Sequence, residues 1–281
     1  MKNLKKVLAL VVAVAMIASM GLVASAASYS DVASNASYAD AVNLLSNLGI
    51  ITGYEDGTFK PDKSISKIEA VLLFARVAGF ADANNEKIVE LANDKYAAVL
   101  DAIDLGAYTN YKNEIAFLLY KNVLSADTIE EYLGESKYLD EFPRSDAAIL
   151  IANLMGADIK EISASSLDFA DANQIPDEAV KYVSYVVKEG LMNGVQKDDG
   201  TVVFDAEKAL SRAQVCVLLY RIIDKLNISA EAGIVDSFDT ESGVLEFTNA
   251  EGREKSYVIN EDVKVIINGE NGKDADKSQN I

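Results

Sequence analysis

One stretch occurs twice in the chain and limits what it can fold into. Residues 48–70 read LGIITGYEDGTFKPDKSISKIEA, and residues 189–214 read EGLMNGVQKDDGTVVFDAEKALSRAQ. Each stretch holds a helix end closed by Gly, a second Gly four residues on, an Asp-Gly turn, a Phe and a helix start. Gly49 and Gly53 answer to Gly190 and Gly194, while Phe59 and Phe204 each precede a Ser, Ser66 or Ser211, by seven residues. A spacing shared at this length marks an internal repeat, and the fold is read from the repeat.

Around each loop the pattern is helical. Tyr38, Ala41, Val42, Leu45 and Leu48 fall on one face, and Val180, Val183, Val187 and Leu191 do the same in the later copy. Ser66 with Glu69, and Ser211 with Gln214, are spaced as capping boxes that open the second helix of each unit. The middle, residues 81–162, keeps less of the pattern. Residues 110–121 align with 210–221, which puts Lys112 in register with Arg212 after a contracted loop, with an extra helix over 144–155. In the alternative alignment, the Arg144 helix is the true equivalent and the Lys112 helix is the insertion. After Asn227 the period changes: Leu245/Phe247, Tyr257/Ile259 and Val263/Val265/Ile267 alternate between glycines, as short antiparallel strands do.

The expected domains are a leader over 1–26, repeat units over 29–80, 81–162 and 165–226, a small β domain over 230–268 and a polar tail over 269–281. Met1–Ala26 has the form of a secretory leader: Lys2, Lys5 and Lys6, an uncharged apolar run over 7–17, and Ala24-Ser25-Ala26 as a cleavage site. The apolar run is short for a membrane span, and no later stretch is long enough for one, so no transmembrane segment is expected after cleavage. No Cys follows the run, so no lipid attachment is expected.

Charge narrows the partners. The chain has 26 basic and 44 acidic residues, a net charge of −18. A duplex nucleic acid partner is not expected, because phosphate binding needs a basic face. His is absent and Cys216 is the one cysteine, so neither His catalysis nor an intramolecular disulfide is available. The Asp-Gly loops lack the carboxylate spacing of an EF-hand and read as turns. No catalytic residue, metal or cofactor is expected. Cys216 reads as a small buried hydrophobe.

Candidate binding residues follow from the helix starts. Lys67, Lys112 and Arg212 each stand one residue past the start, where a cation is mildly unfavourable beside the positive end of the helix dipole. A cation beside free amides makes an anion site. Arg binds a carboxylate bidentately, and Lys binds it as a point charge. Ser66 and Ser211 cap these helices. Gly53 and Gly194 would let a ligand approach the backbone. Asp31 and Asp171 are candidates to tie loops through backbone amides. For any one of these cations alone, the plain reading is a solvated side chain beside a cap; the matched positions put a site on an equal footing with it.

The units resemble those of the S-layer homology family. Tyr29-Ser30-Asp31 fits the aromatic-x-Asp start, Leu48-Gly49-Ile50-Ile51-Thr52-Gly53 the helix end, and Gly53-Tyr54-Glu55-Asp56-Gly57-Thr58-Phe59-Lys60-Pro61 the loop. Ser66-Lys67-Ile68-Glu69 and Ser211-Arg212-Ala213-Gln214 fit the Thr-Arg-Ala-Glu helix start. Tyr38 stands where the family usually has Trp, and Arg212 is the intact case of the motif arginine.

The resemblance implies a mainly α fold, a three-repeat pseudo-threefold helical assembly with grooves between repeats, here followed by a small antiparallel β domain. It implies non-covalent attachment to a pyruvylated secondary cell-wall polymer or a peptidoglycan-linked glycan, in a secreted protein of a bacterial cell wall or surface layer. The ligand-binding residues expected are Arg212, Ser211, Lys67, Ser66, Lys112, Gly53, Gly194, Tyr38, Asp31, Asp171 and Arg144. No activity of its own is expected. The alternatives are a surface-lattice protein that self-associates through an open β edge, and the anchoring part of a longer extracellular enzyme.

Overall fold

A computed structural model describes residues 29–82, 85–163 and 167–226, together with three strands between 233 and 258. Its order follows the apolar periodicity: α1 (Ala39–Asn47), α2 (Lys67–Val77), α3 (Glu86–Asp101), α4 (Lys112–Tyr120), α5 (Ile129–Leu133), α6 (Arg144–Leu154), α7 (Val180–Lys188) and α8 (Arg212–Lys225). A two-stranded ribbon, β1 (Val195–Gln196) and β2 (Val202–Val203), lies in the loop between α7 and α8. Strands β3 (Gly233–Asp239), β4 (Val244–Asn249) and β5 (Glu254–Val258) form an antiparallel meander. β4 and β5 take in the alternating Leu245, Phe247 and Tyr257; the expected strand at 263–267 lies outside the described residues.

Three copies of one unit are visible, each a first helix, a crossing segment and a second helix. The first helices are α1, α4 and α7. Each ends on a residue of positive φ: Gly49 at 66°, Asn122 at 58° and Gly190 at 72°. After each, two successive amides return to one carbonyl in the helix. Ile50 and Ile51 donate to Leu45, Val123 and Leu124 to Leu118, and Leu191 and Met192 to Val186. Asn is the residue besides Gly that most readily accepts this conformation.

The second helices are α2, α6 and α8, and they are preceded by short extended segments that join in a ring. Ile65 N donates to the Leu210 carbonyl, Leu210 N to Phe142, and Phe142 N to Ile65. The first helices pack around that ring, α1 on α8, α4 on α2 and α7 on α6. Each repeat thus buries its apolar stripe on a neighbour, as repeats that cannot form a core alone must do. Phe59, Phe142 and Phe204 are among the largest fully buried side chains.

The cyclic bonds correct the alignment of the middle. The helix that begins at Lys112 is a first helix, equivalent to α1 and α7. The Arg144 helix is the second helix of the unit, in register with α2 and α8. The extra element is α3, which packs on α4. The middle loop is not merely contracted: the short helix α5 stands where the other two repeats have a Gly-rich turn.

Candidate functional site

The loops are held before any cleft is formed. Asp31 accepts from the amides of Phe59 and Lys60 at 2.7 and 2.8 Å. Asp171 accepts from those of Phe204 and Asp205, both at 2.8 Å. Both oxygens of each carboxylate are therefore engaged in the protein. Gly53 and Gly194 have a different purpose from the expected approach of a ligand. A Cβ on Gly53 would lie 2.2 Å from the Tyr29 ring, and one on Gly194 2.7 Å from Phe169. The glycines make room for the first aromatic of their own repeat, which packs on Phe59 or Phe204.

The amides at the helix starts are also occupied, contrary to expectation. Lys67 N donates to the Asp140 carbonyl, Arg144 N to Lys208, and Arg212 N to Lys63. Ser145 N and Ala213 N donate to Ala206 and Pro61. Both capping boxes are present: Ser66 N donates to Glu69 and Ser211 N to Gln214, each at 2.9 Å, with the serine hydroxyls accepting in return. Any anion bound here is held by side chains rather than by open helix ends.

Two arginines join the repeats. Arg212 is buried, and its Nε and Nη2 donate to the carbonyls of Phe59 and Thr52 at 2.8 and 2.7 Å. Arg144 repeats this arrangement on the carbonyls of Phe204 and Asn193 at 2.7 and 2.8 Å. Each guanidinium lies over the Phe ring of the loop it grips. Burial lowers the Arg144 pKa, opposed by nearby Asp205 and Asp171. The third equivalent, Lys67, faces α5 instead of a loop; its Nζ lies 3.9 Å from Asp140 and 4.9 Å from the centre of the Tyr132 ring.

Lys112 is absent from this set. It pairs with Asp101 of α3 at 2.9 Å, and its helix start has no side-chain cap. Tyr38 caps the backbone of α1 and packs, half-buried, on the core.

Clefts form where the first residue of one second helix meets the third residue of the next. Beside Arg212, a cleft of about 110 Å³ is lined by Thr52, Glu69, Leu72, Leu73 and Arg76 among others. Glu69 is turned back into its capping box. Arg76 donates to the Ile50 carbonyl at 2.7 Å. Tyr54 adjoins Arg212 and gathers further cations: Lys63 donates to its hydroxyl at 3.1 Å, and Lys60 lies 4.1 Å from its ring centre. The hydrogen bond to Tyr54 pushes the Lys63 pKa up. Thr52, Tyr54, Lys63 and Arg76 were not among the sequence candidates. They join Arg212 from about 150 positions away, a contact that no local pattern records.

Beside Lys67, a cleft of about 280 Å³ is lined by Pro143, Ser145, Asp146, Ile149, Glu178 and Glu207. Asp146 is the third residue of α6 and answers to Glu69 and Gln214. Its cap residue is Pro143, which has no N–H to offer, so the capping box cannot close. Burial pushes the Asp146 carboxyl up to about 6, against the pull of Lys67 and with Glu207 and Glu178 adding to the rise.

The S-layer homology domain family matches this chain over residues 28–71 and 168–216, the two repeats with intact loops. Two of the three repeats thus match the S-layer homology domain, as their motifs implied. Over 225 residues it is 25% identical to the surface-layer 125 kDa protein of Lysinibacillus sphaericus, a stretch that covers 78% of this chain and 17% of that relative. The chain thus spans a small part of the curated relative's length. These likenesses support a role at the cell surface, in anchoring or in a surface layer. No helix among the described residues is long and apolar enough to cross a membrane.

Proposed function

We propose that the repeats anchor a secreted protein non-covalently to an acidic, pyruvylated cell-wall polymer, and that the chain acts without catalysis. The observation that carries this reading is the Arg212 cleft. In a chain of net charge −18, Arg212 and Arg76 line one groove between repeats, and beside it Arg212, Lys63 and Lys60 gather on the Tyr54 ring. A guanidinium with two bonds to carbonyls still has N–H groups to present to a carboxylate. Long-range repulsion between an acidic protein and an acidic glycan fades beyond ~8 Å at physiological salt, so a local cationic groove decides the outcome.

Co-sedimentation with isolated wall sacculi tests the reading. Retention should be lost when the pyruvyl groups are removed, and lowered by Lys63→Ala in a chain that stays folded. Equal retention on native and stripped walls would overturn it. Hydrolysis of wall glycans by the purified chain would overturn the non-catalytic part. The surface-layer relative favours a second role, lattice formation, which is compatible with anchoring and would appear as ordered sheets in negative-stain microscopy.

A further inference from the structure

We propose that Asp146 sets the charge selectivity of the Lys67 cleft. Ionised, it keeps an acidic glycan out; protonated, it lets Lys67 hold one, so this second cleft binds in mild acid and not at neutral pH. The proposal deepens the anchoring function and rests on it.

The geometry starts from a substitution of cap chemistry. In α2 and α8 the third residue of the helix returns a hydrogen bond to a serine amide. In α6 that amide is replaced by Pro143, and the Asp146 side chain is left to face the cleft. Its Oδ2 and the Tyr132 hydroxyl are buried without a hydrogen-bond partner. The carboxylate of the equivalent Glu69 accepts a fixed bond from the Ser66 amide; for Asp146 the groups that favour the charged form are the Lys67 ammonium and the Tyr132 hydroxyl.

The charged groups around Asp146 come from every element that frames the cleft. α2 supplies Lys67, whose ammonium also leans on Asp140 and the Tyr132 ring. α5 supplies Tyr132, whose phenol is pushed well up by burial and by Asp146 itself. The segment before α7 supplies Glu178, and the segment before α8 supplies Glu207. Among the described residues, neither glutamate forms an ion pair or a side-chain hydrogen bond. With Asp146 ionised, three carboxylates and one ammonium line a cleft with room for a sugar. With Asp146 neutral, Lys67 faces two exposed glutamates that water and salt screen. Burial pushes this carboxyl up to about 6. A pyruvyl ketal carboxylate, with a pKa near the ~3.5 of an α-carboxyl, stays charged through that titration.

Binding of a synthetic 4,6-O-pyruvylated methyl glycoside, followed by NMR at pH 7.5 and 5.0, tests the proposal. Its neutral methyl ester is the control. In the native chain, signals of residues 144–149 should respond to the acid at pH 5.0 and about fivefold less at pH 7.5, the order expected for removing one charge at close range. Asp146→Asn should bind at pH 7.5 as the native chain does at pH 5.0. Lys67→Ala should bind at neither, and Glu207→Gln, at an exposed position, should give a partial gain at pH 7.5. Equal occupancy of this cleft at both pH values, or an Asp146→Asn variant with the native pH response, would overturn the gate while leaving anchoring through Arg212 in place. No response at either cleft at any pH would overturn the anchoring function, and the gate with it.

Discussion

The two clefts are the same place in the fold, one repeat apart, and they carry opposite balances of charge. In the Arg212 cleft the third-residue acid, Glu69, is bonded to the Ser66 amide, and cations from the loop crowd around Tyr54. In the Lys67 cleft the third-residue acid is Asp146, its cap is Pro143, and no loop comes down to add cations because α5 occupies that place. The difference arises from two local changes, a proline at a cap and a helix in place of a turn. Pseudosymmetry of the backbone does not enforce equivalence of sites; the side chains that close the caps decide which groove is cationic.

The largest effect should come from breaking the element the clefts share. Arg212→Ala removes two buried bonds to main-chain carbonyls and leaves both acceptors unpaired, a loss on the order of 3 kcal/mol, and Arg144→Ala should match it. Arg212→Lys should not rescue, since an ammonium cannot span both carbonyls. Chemical denaturation of the three variants checks this; a fully stable Arg212→Ala protein that no longer binds the wall would make the arginine a ligand residue only.

Next in size is Gly53→Ala. The new Cβ would push Tyr29 off Phe59, at a cost of roughly 1–3 kcal/mol. A melting curve indistinguishable from the native one would show that the loop has slack that the close packing denies.

A smaller effect, of opposite sign, separates the two clefts. The folded carboxyl of Asp146 titrates near 6, above the ordinary 3.8. Its contribution to stability is therefore full below about pH 4 and lost as pH rises through about 6. Asp146→Asn should stabilise the chain at pH 7.5 by roughly 1 kcal/mol, after allowance for partial exposure, and flatten the decline in stability between pH 4 and 6. Glu69→Gln, held in a closed capping box, should give no such gain. Thermal melts across that pH range check both.

The smallest effect is expected at Lys112, whose ion pair with exposed Asp101 lies outside the ring. Lys112→Ala should change stability by no more than about 1 kcal/mol and leave wall retention unaltered.

These contrasts also explain what could be read from the residues in order. The first and third units were legible because Gly, Asp-Gly, Phe and a capped helix are local chemistry at fixed spacing. The middle unit was not, because each signal had been exchanged for a different residue with the same geometry. Asn122 replaces the terminating Gly, α5 replaces the turn, and Pro143 replaces the capping Ser. Lys112 was then drawn into register by the apolar run over 115–119, which fits a first helix as well as a second. The cations of the sites were partly legible. Arg212 stood out by its motif, but Lys63 and Arg76 acquire meaning only when the third repeat closes onto the first. The strand at 233–239 was missed because its apolar residues are interrupted by Asp236 and Ser237, at the register shift between Val235 and Ser237.

The most direct test of the anchoring claim is to map where a pyruvylated saccharide touches the folded chain at neutral pH, by NMR perturbation of assigned amides. Perturbations should gather at residues 52–54, 63, 69–76 and 212, vanish with the methyl ester, and shrink in Lys63→Ala. Perturbations of equal size with the neutral ester, or gathered away from the junction of the first and third repeats, would contradict it.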